Sequence, residues 1–235
     1  MFDYDGKHTD PARTIYKRGL QKKVNRQTSG KAFGIVDTES ELESITLIAA
    51  DLDPRVRRVR PQPCTFDLNT GDAYPSKQAL MDAVHGTRYR PWCYTPDFLL
   101  ELVDGSKVFV ESKHTRFLER HPTFSAVPIA MADYGHRYAI VTERMLPRPL
   151  QRNLRTLKVS PTVPLNADQR SWLIDDCPSS LLFREIEDLG FGRNRVYTAI
   201  REGYLAAKLD KTPFNDRTVL MPSAGSTAHL EVLPI

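Results

Sequence analysis

Two β-rich runs, Tyr94 to Val103 and Lys107 to Glu111, flank Asp104-Gly105-Ser106, and no other feature of the sequence limits the fold as tightly. Asp and Gly accept the left-handed backbone that tight turns need, so the segment is expected to fold back on itself as a β-hairpin. Side chains alternate across a strand, so Glu111 and Lys113 must share one face while Ser112 points to the other. The turn then decides where Asp97 goes. A two-residue loop at Asp104-Gly105 sets Asp97 opposite Ser112, on the wrong face. A loop of Asp104, Gly105 and Ser106 sets Val103 against Lys107, Leu99 against Glu111 and Asp97 against Lys113. The three-residue loop is expected, or a compensating bulge near Asp97.

Around the hairpin the periodicity predicts alternating elements. Ala32 to Val36 reads as a short strand, and Ser40 opens a helix carrying Leu42, Ile45, Ile48, Ala49 and Leu52 on one side until Pro54 ends it. Val56, Val59 and Cys64 to Leu68 read as strand, Ser76 to Val84 as a short helix, Phe124 to Tyr134 as a helix, and Arg137 to Thr142 as a strand. The stretch from Pro147 to Pro164 holds four prolines and three arginines and is read as an aperiodic linker. Beyond it, Ser180 to Leu189 and Arg193 to Glu202 read as two helices about a Gly190-Phe191-Gly192 turn, and Tyr204 to Leu209 and Thr218 to Met221 as strands around a polar loop. The expected organisation is a basic arm over 1–30, an α/β domain over 31–146, a linker over 147–165 and a winged-helix-like domain over 166–235.

At 235 residues with 40% apolar side chains the chain can bury one substantial core and a smaller second one. Its three cysteines, Cys64, Cys93 and Cys177, lie far apart without C-x-x-C spacing and are read as reduced, which points to an intracellular protein with the cytoplasm as its expected address. An apolar leader and a membrane-length apolar run are both absent from the sequence, so no membrane partner is expected. The formal charge is only +4, but it is unevenly spread. Lys17, Arg18, Lys22 and Lys23 crowd the arm, Arg57 and Arg58 belong to a second cluster, and Arg148, Arg152, Arg155 and Lys158 form a third. A polyanion such as DNA suits such clusters, as does water at a solvated face.

The chemistry concentrates in Thr95-Pro96-Asp97 and, one hairpin later, Glu111-Ser112-Lys113. Two carboxylates and a lysine at the ends of paired strands offer hard oxygen ligands to Mg²⁺, with Mn²⁺ able to substitute, and a cation for a phosphate. The Ser112 backbone carbonyl is a further candidate ligand. Glu43, in the first turn of the helix opened by Ser40, supplies a third carboxylate; equally, Ser40 and Glu43 form a capping box whose glutamate merely satisfies the backbone. Lys113 serves as a cation at the phosphate when protonated, or takes a proton from water when neutral.

The order Ser40-x-x-Glu43, Asp53-Pro54-x-Val56, Gln62-Pro63, Thr95-Pro96-Asp97-Phe98, Glu111-x-Lys113 resembles the TnsA family over roughly Lys31 to Thr142. These are restriction-endonuclease-like, PD-(D/E)xK subunits of heteromeric transposases, which cut the 5′ strands at transposon ends while a TnsB transposase handles the 3′ ends. The resemblance implies an α/β fold with a restriction-endonuclease-like mixed-sheet core flanked by helices, followed by a C-terminal winged-helix-like domain. It implies that Glu43, Asp97 and Glu111 hold metal, that Lys113 is the catalytic lysine, and that Gln62 has a supporting role. The implied partners are DNA at transposon ends, a TnsB-like transposase and an AAA+ regulator. In the C-terminal part, Arg193, Asn194, Arg195 and Arg201 are candidates for DNA contact, against docking of a protein there. Two rival readings share these residues: a stand-alone defence or repair nuclease, and a non-catalytic DNA-binding assembly protein.

Overall fold

The computed structural model of the protein describes Ala12 and residues 25–235. Lys17, Arg18, Lys22 and Lys23 of the expected arm lie outside the described residues.

The end of that arm forms a strand. β1 (Asn25–Ser29) pairs antiparallel with β2 (Gly34–Thr38), where β2 falls two residues later than expected and β1 was not expected at all. The polar strand β1 is held by tertiary bonds that periodicity cannot reveal. Gln27 Nε2 donates to the Ser44 carbonyl at 2.8 Å and Ser29 Oγ to Asp51 at 2.6 Å, both on α1 (Glu41–Leu52). Within α1, Leu42, Ile45, Leu47, Ile48, Ala49 and Ala50 are buried, the stripe that makes this segment a helix of the core.

Next come β3 (Val56–Pro61), β4 (Thr65–Asp67), β5 (Asp72–Tyr74), α2 (Lys77–Ala83, with Ser76 as its N-cap), β6 (Cys93–Tyr94), β7 (Phe98–Leu102) and β8 (Lys107–Ser112). After them follow α3 (Thr115–Arg120), α4 (Ala126–Asp133) and β9 (Tyr138–Val141). The single strand expected over Tyr94 to Val103 is therefore two. β6 joins a small sheet of order β5-β4-β6, the chain breaks at Thr95-Pro96-Asp97, and β7 enters a four-stranded sheet of order β3-β7-β8-β9. Proline has no N–H for a ladder, which explains the break at Pro96. In the larger sheet β7 is antiparallel to β3 and β8, while β8 and β9 run parallel, so the sheet is mixed.

The hairpin register differs from expectation. Glu101 pairs with Lys107, Leu100 with Val108 and Leu99 with Phe109, so the loop is Val103-Asp104-Gly105, three residues long but displaced by one. Asp104 Oδ1 accepts from Ser106 N–H at 2.8 Å, Gly105 takes φ +83°, and Leu102 N–H reaches the Ser106 carbonyl at 2.8 Å, drawing Ser106 into the ladder. Asp97 consequently aligns with Glu111, not with Lys113, and keeps the same face. On that face Leu99 and Phe109 pack with Phe66 of β4, with Cys64 and Leu68 that flank it, and with Val127 and Met131 of α4, bordered by Tyr94, Phe124 and Tyr138.

A second compact unit comprises Leu52–Pro54 and Met145–Val232. Its first element corrects the expected linker: α5 (Arg148–Val159) is a twelve-residue helix. Pro147 caps it and Pro149 sits in its first turn, where a missing N–H costs nothing, while Leu150, Asn153, Leu154 and Leu157 are buried at helical spacing. The prolines marked the start of a helix rather than its absence. α6 (Ala167–Asp175), opened by an Asn166/Gln169 capping box, fills a stretch to which no element was assigned. Then follow β10 (Leu181–Leu182), α7 (Phe183–Asp188), α8 (Arg193–Arg201), β11 (Leu205–Ala207) and β12 (Val219–Pro222), with sheet order β10-β12-β11. The helix expected from Ser180 thus begins with a short strand. Both units are mixed α/β. Among the described residues no helix is long and apolar enough to cross a membrane.

Candidate active site

Four of the residues singled out in the sequence meet at one end of the mixed sheet. In the observed register Ser112 would lie opposite Pro96, and its N–H instead goes to Asp97 Oδ2 at 2.8 Å. The Asp97 N–H turns to Glu111 Oε2 at 3.3 Å. Asp97 and Glu111 are thereby cross-linked, each carboxylate accepting from the other's strand. Lys113 pairs with Glu111 Oε1, a carboxylate only 3% exposed. Its ammonium also lies 5.6 Å from the centre of the Phe117 ring and 5.9 Å from that of Phe124.

Glu43 approaches from α1. It does cap the helix: its N–H donates to Ser40 Oγ at 3.0 Å, its Oε1 accepts from that hydroxyl, and its Oε2 accepts from the Glu39 N–H at 2.9 Å. Its charge nonetheless helps to raise both Asp97 and Lys113. Ser112 is placed by its main chain, and its hydroxyl donates to Thr46 Oγ1 of α1 at 3.1 Å, tying helix and sheet together.

The electrostatics follow from the crowding. Burial, then the charges of Glu111 and Glu43, push Asp97 well above the usual carboxylate range. Burial likewise raises Glu43, against the hydrogen bonds from Glu39 and Ser40. Burial pulls Lys113 down, but the charges of Glu111 and Asp97 outweigh it and leave the amine raised. Lys113 is thus an ammonium ion at neutral pH. The crowding that raises Asp97 and Glu43 disfavours their ionised forms, a condition that a divalent cation would relieve.

The donor set, all hard carboxylate oxygen, suits Mg²⁺ or Mn²⁺. Among the described residues no three His, Cys, Asp or Glu side chains already stand together as a ligand group; Glu43 is held by its cap and Glu111 by Lys113.

Gln62 sits beside these residues through the backbone. Its N–H donates to the Asp97 carbonyl at 2.8 Å, its φ is +43°, and its buried Oε1 has no hydrogen-bond partner among the described residues. A non-glycine residue seldom adopts that conformation, and here it holds the main chain of Asp97 in place.

The basic candidates stand elsewhere. Arg57 pairs with Glu101 and Arg58 stacks on Phe33. Arg193 pairs with Glu187 at 2.8 Å and Asp216 at 2.7 Å. Arg195 donates to the Pro164 and Phe191 carbonyls, and Arg201 to those of Leu157, Ser160 and Pro161. Intramolecular partners therefore occupy these α8 arginines. His114, left unassigned from sequence, pairs with Glu143 at 3.2 Å.

Tyr94 and Tyr138 were missed. The Tyr94 hydroxyl donates to Glu111 Oε2 at 2.6 Å and lies 2.7 Å from the Tyr138 hydroxyl. Burial, followed by the charge of Glu111, pushes both phenols up. Each was visible as an aromatic residue in a strand-like run, but only the parallel pairing of Glu111 with Ile140 brings β9 beside the acid. Comparison of the chain with protein-family models gives no match, and comparison with curated proteins gives none either.

Proposed function

We propose that the protein is a metal-dependent DNA endonuclease that hydrolyses one strand at each site, acting as the 5′-strand-cutting subunit of a heteromeric transposase. The observation that carries this reading is the pairing of Asp97 with Glu111 at the end of a mixed sheet, with Lys113 as an ammonium beside them. Asp97 and Glu111 would hold the cation, with Glu43 as the third carboxylate. A bound Mg²⁺ or Mn²⁺ supplies positive charge that activates water and steadies the phosphate.

The protein's own residues do the rest. Lys113, already protonated, is suited to hold a phosphate oxygen as charge develops rather than to take the proton from water. The water oxygen bonds to phosphorus as the bond to O3′ breaks, and the leaving oxygen ends protonated, giving a 5′-phosphate and a 3′-hydroxyl. The Ser112 N–H fixes the orientation of Asp97, and Gln62 fixes its main chain.

The mixed order β3-β7-β8-β9 with α1 ahead of it supports a restriction-endonuclease-like core. In the second unit the succession α6, β10, α7, α8, β11, β12, with β12 central, supports a winged helix. Since intramolecular bonds occupy the α8 arginines, docking of a protein, such as a TnsB-like transposase or an AAA+ regulator, is the use of that unit we favour. The test is strand-resolved cleavage of a transposon-end duplex, with and without the co-encoded transposase. Cuts confined to the 5′ strand that need the partner are expected. Efficient cutting without the partner contradicts the transposase assignment and favours a stand-alone nuclease.

A further inference from the structure

We infer that Tyr138 and Tyr94 form a directed hydrogen-bond chain that positions Glu111 for cation binding, an inference that rests on the function proposed above. The direction follows from counting protons. A phenol has one O–H, and Tyr94 gives its own to Glu111 Oε2 at 2.6 Å. In the 2.7 Å contact between the two hydroxyls, Tyr138 must therefore be the donor. The order is Tyr138 O–H to Tyr94 oxygen, then Tyr94 O–H to Glu111.

This chain divides the labour between the two carboxylate oxygens. Oε2 accepts from Tyr94 and from the Asp97 N–H, both fixed by the fold. Oε1 faces Lys113, a cationic partner whose place another cation can take. Aromatic packing holds the chain in place: Tyr94 meets Tyr138 edge-on at 6.2 Å and Phe124 at 6.5 Å. The two tyrosines come from different sheets, β6 beside β4 and β9 beside β8, so the chain also makes the Glu111 orientation depend on both sheets. Groups that hydrogen-bond a metal ligand orient it before the metal arrives, and their loss typically weakens binding about 10–100-fold. Tyr94 and Tyr138 act through Glu111 and are positioning residues.

The experiment is thermal denaturation of the full chain titrated with Mn²⁺ alone, for wild type, Tyr94→Phe, Tyr138→Phe and the double variant. Phenylalanine keeps the rings and removes only the hydroxyls. Tyr94→Phe is expected to weaken the apparent Mn²⁺ affinity about 10–100-fold, and Tyr138→Phe to weaken it less. The double variant should match Tyr94→Phe, because Tyr138 acts only through Tyr94. Wild-type affinity in Tyr94→Phe, or full additivity in the double variant, overturns the chain while leaving the proposed function intact. Should Tyr94→Phe fail to fold, Tyr138→Phe decides alone: weakened affinity supports the chain and wild-type affinity overturns it. A wild-type protein that shows no Mn²⁺-dependent shift overturns the proposed function and this inference together.

Discussion

Asp97 stands between two demands. The fold uses its carboxylate to accept the Ser112 N–H beyond the end of the β7–β8 ladder, and burial beside Glu111 and Glu43 makes its charge costly. Its raised pKa sets the sign of a pH effect. Between the ordinary carboxylate value and the raised one, the folded state binds more protons than the unfolded state, so metal-free stability falls as pH rises through that window. Glu43, also raised, acts in the same direction. Lys113 is raised above the ordinary lysine value, so its contribution is complete at neutral pH and is lost only in the alkaline range. Asp97→Asn keeps an acceptor for Ser112 and removes the charge. Melting curves in a chelator should show the variant more stable than wild type at neutral pH, with the gap closing toward pH 4. A variant less stable than wild type across that range would contradict the assignment.

Among the elements, α5 shows how local composition misleads. Four prolines and three arginines between Pro147 and Pro164 suggested a linker, yet prolines in a first turn are compatible with a helix, and Leu150, Leu154 and Leu157 carry its period. Leu154→Ala should destabilise the second unit by about 2–5 kcal/mol, the usual cost of truncating a buried leucine, whereas Arg152→Ala on the exposed side should cost almost nothing. Urea denaturation measures both, and a neutral Leu154→Ala would restore the linker reading. The hairpin was legible as an element because Asp104-Gly105 permits the turn. Its register was not, because the side chain of Asp104 and the pairing of Ser106 with Leu102 fix it by one residue. The parity of Asp97 and Glu111 survived that shift because both three-residue loops preserve it.

At the scale of the whole molecule, the acids and the lysine were legible because strand alternation and one turn bring them together. Tyr94 and Tyr138 were not, since they depend on contacts among separate sheets, and the backbone role of Gln62 was not, since it depends on the β3–β7 register. Charge was the poorer guide: arginines that looked available for DNA turn out to pair within the fold. Arg193→Ala should therefore cost stability, roughly 0.2–1 kcal/mol for so exposed an ion pair, while DNA binding measured at several salt concentrations keeps its slope. A shallower slope in Arg193→Ala would instead mark a phosphate contact.

We propose that Asp97, Glu111 and Lys113 form a metal-dependent phosphodiester-cleaving site, and the first measurement is nicking of a supercoiled plasmid that carries transposon ends, in Mg²⁺ and in Mn²⁺. With the transposase present, cleavage by the wild type, its loss in Asp97→Ala and a fall of about 10²–10³-fold in Lys113→Ala are expected. Cleavage that persists unchanged in Asp97→Ala, or a wild type that cuts in neither metal with or without the transposase, would overturn this assignment.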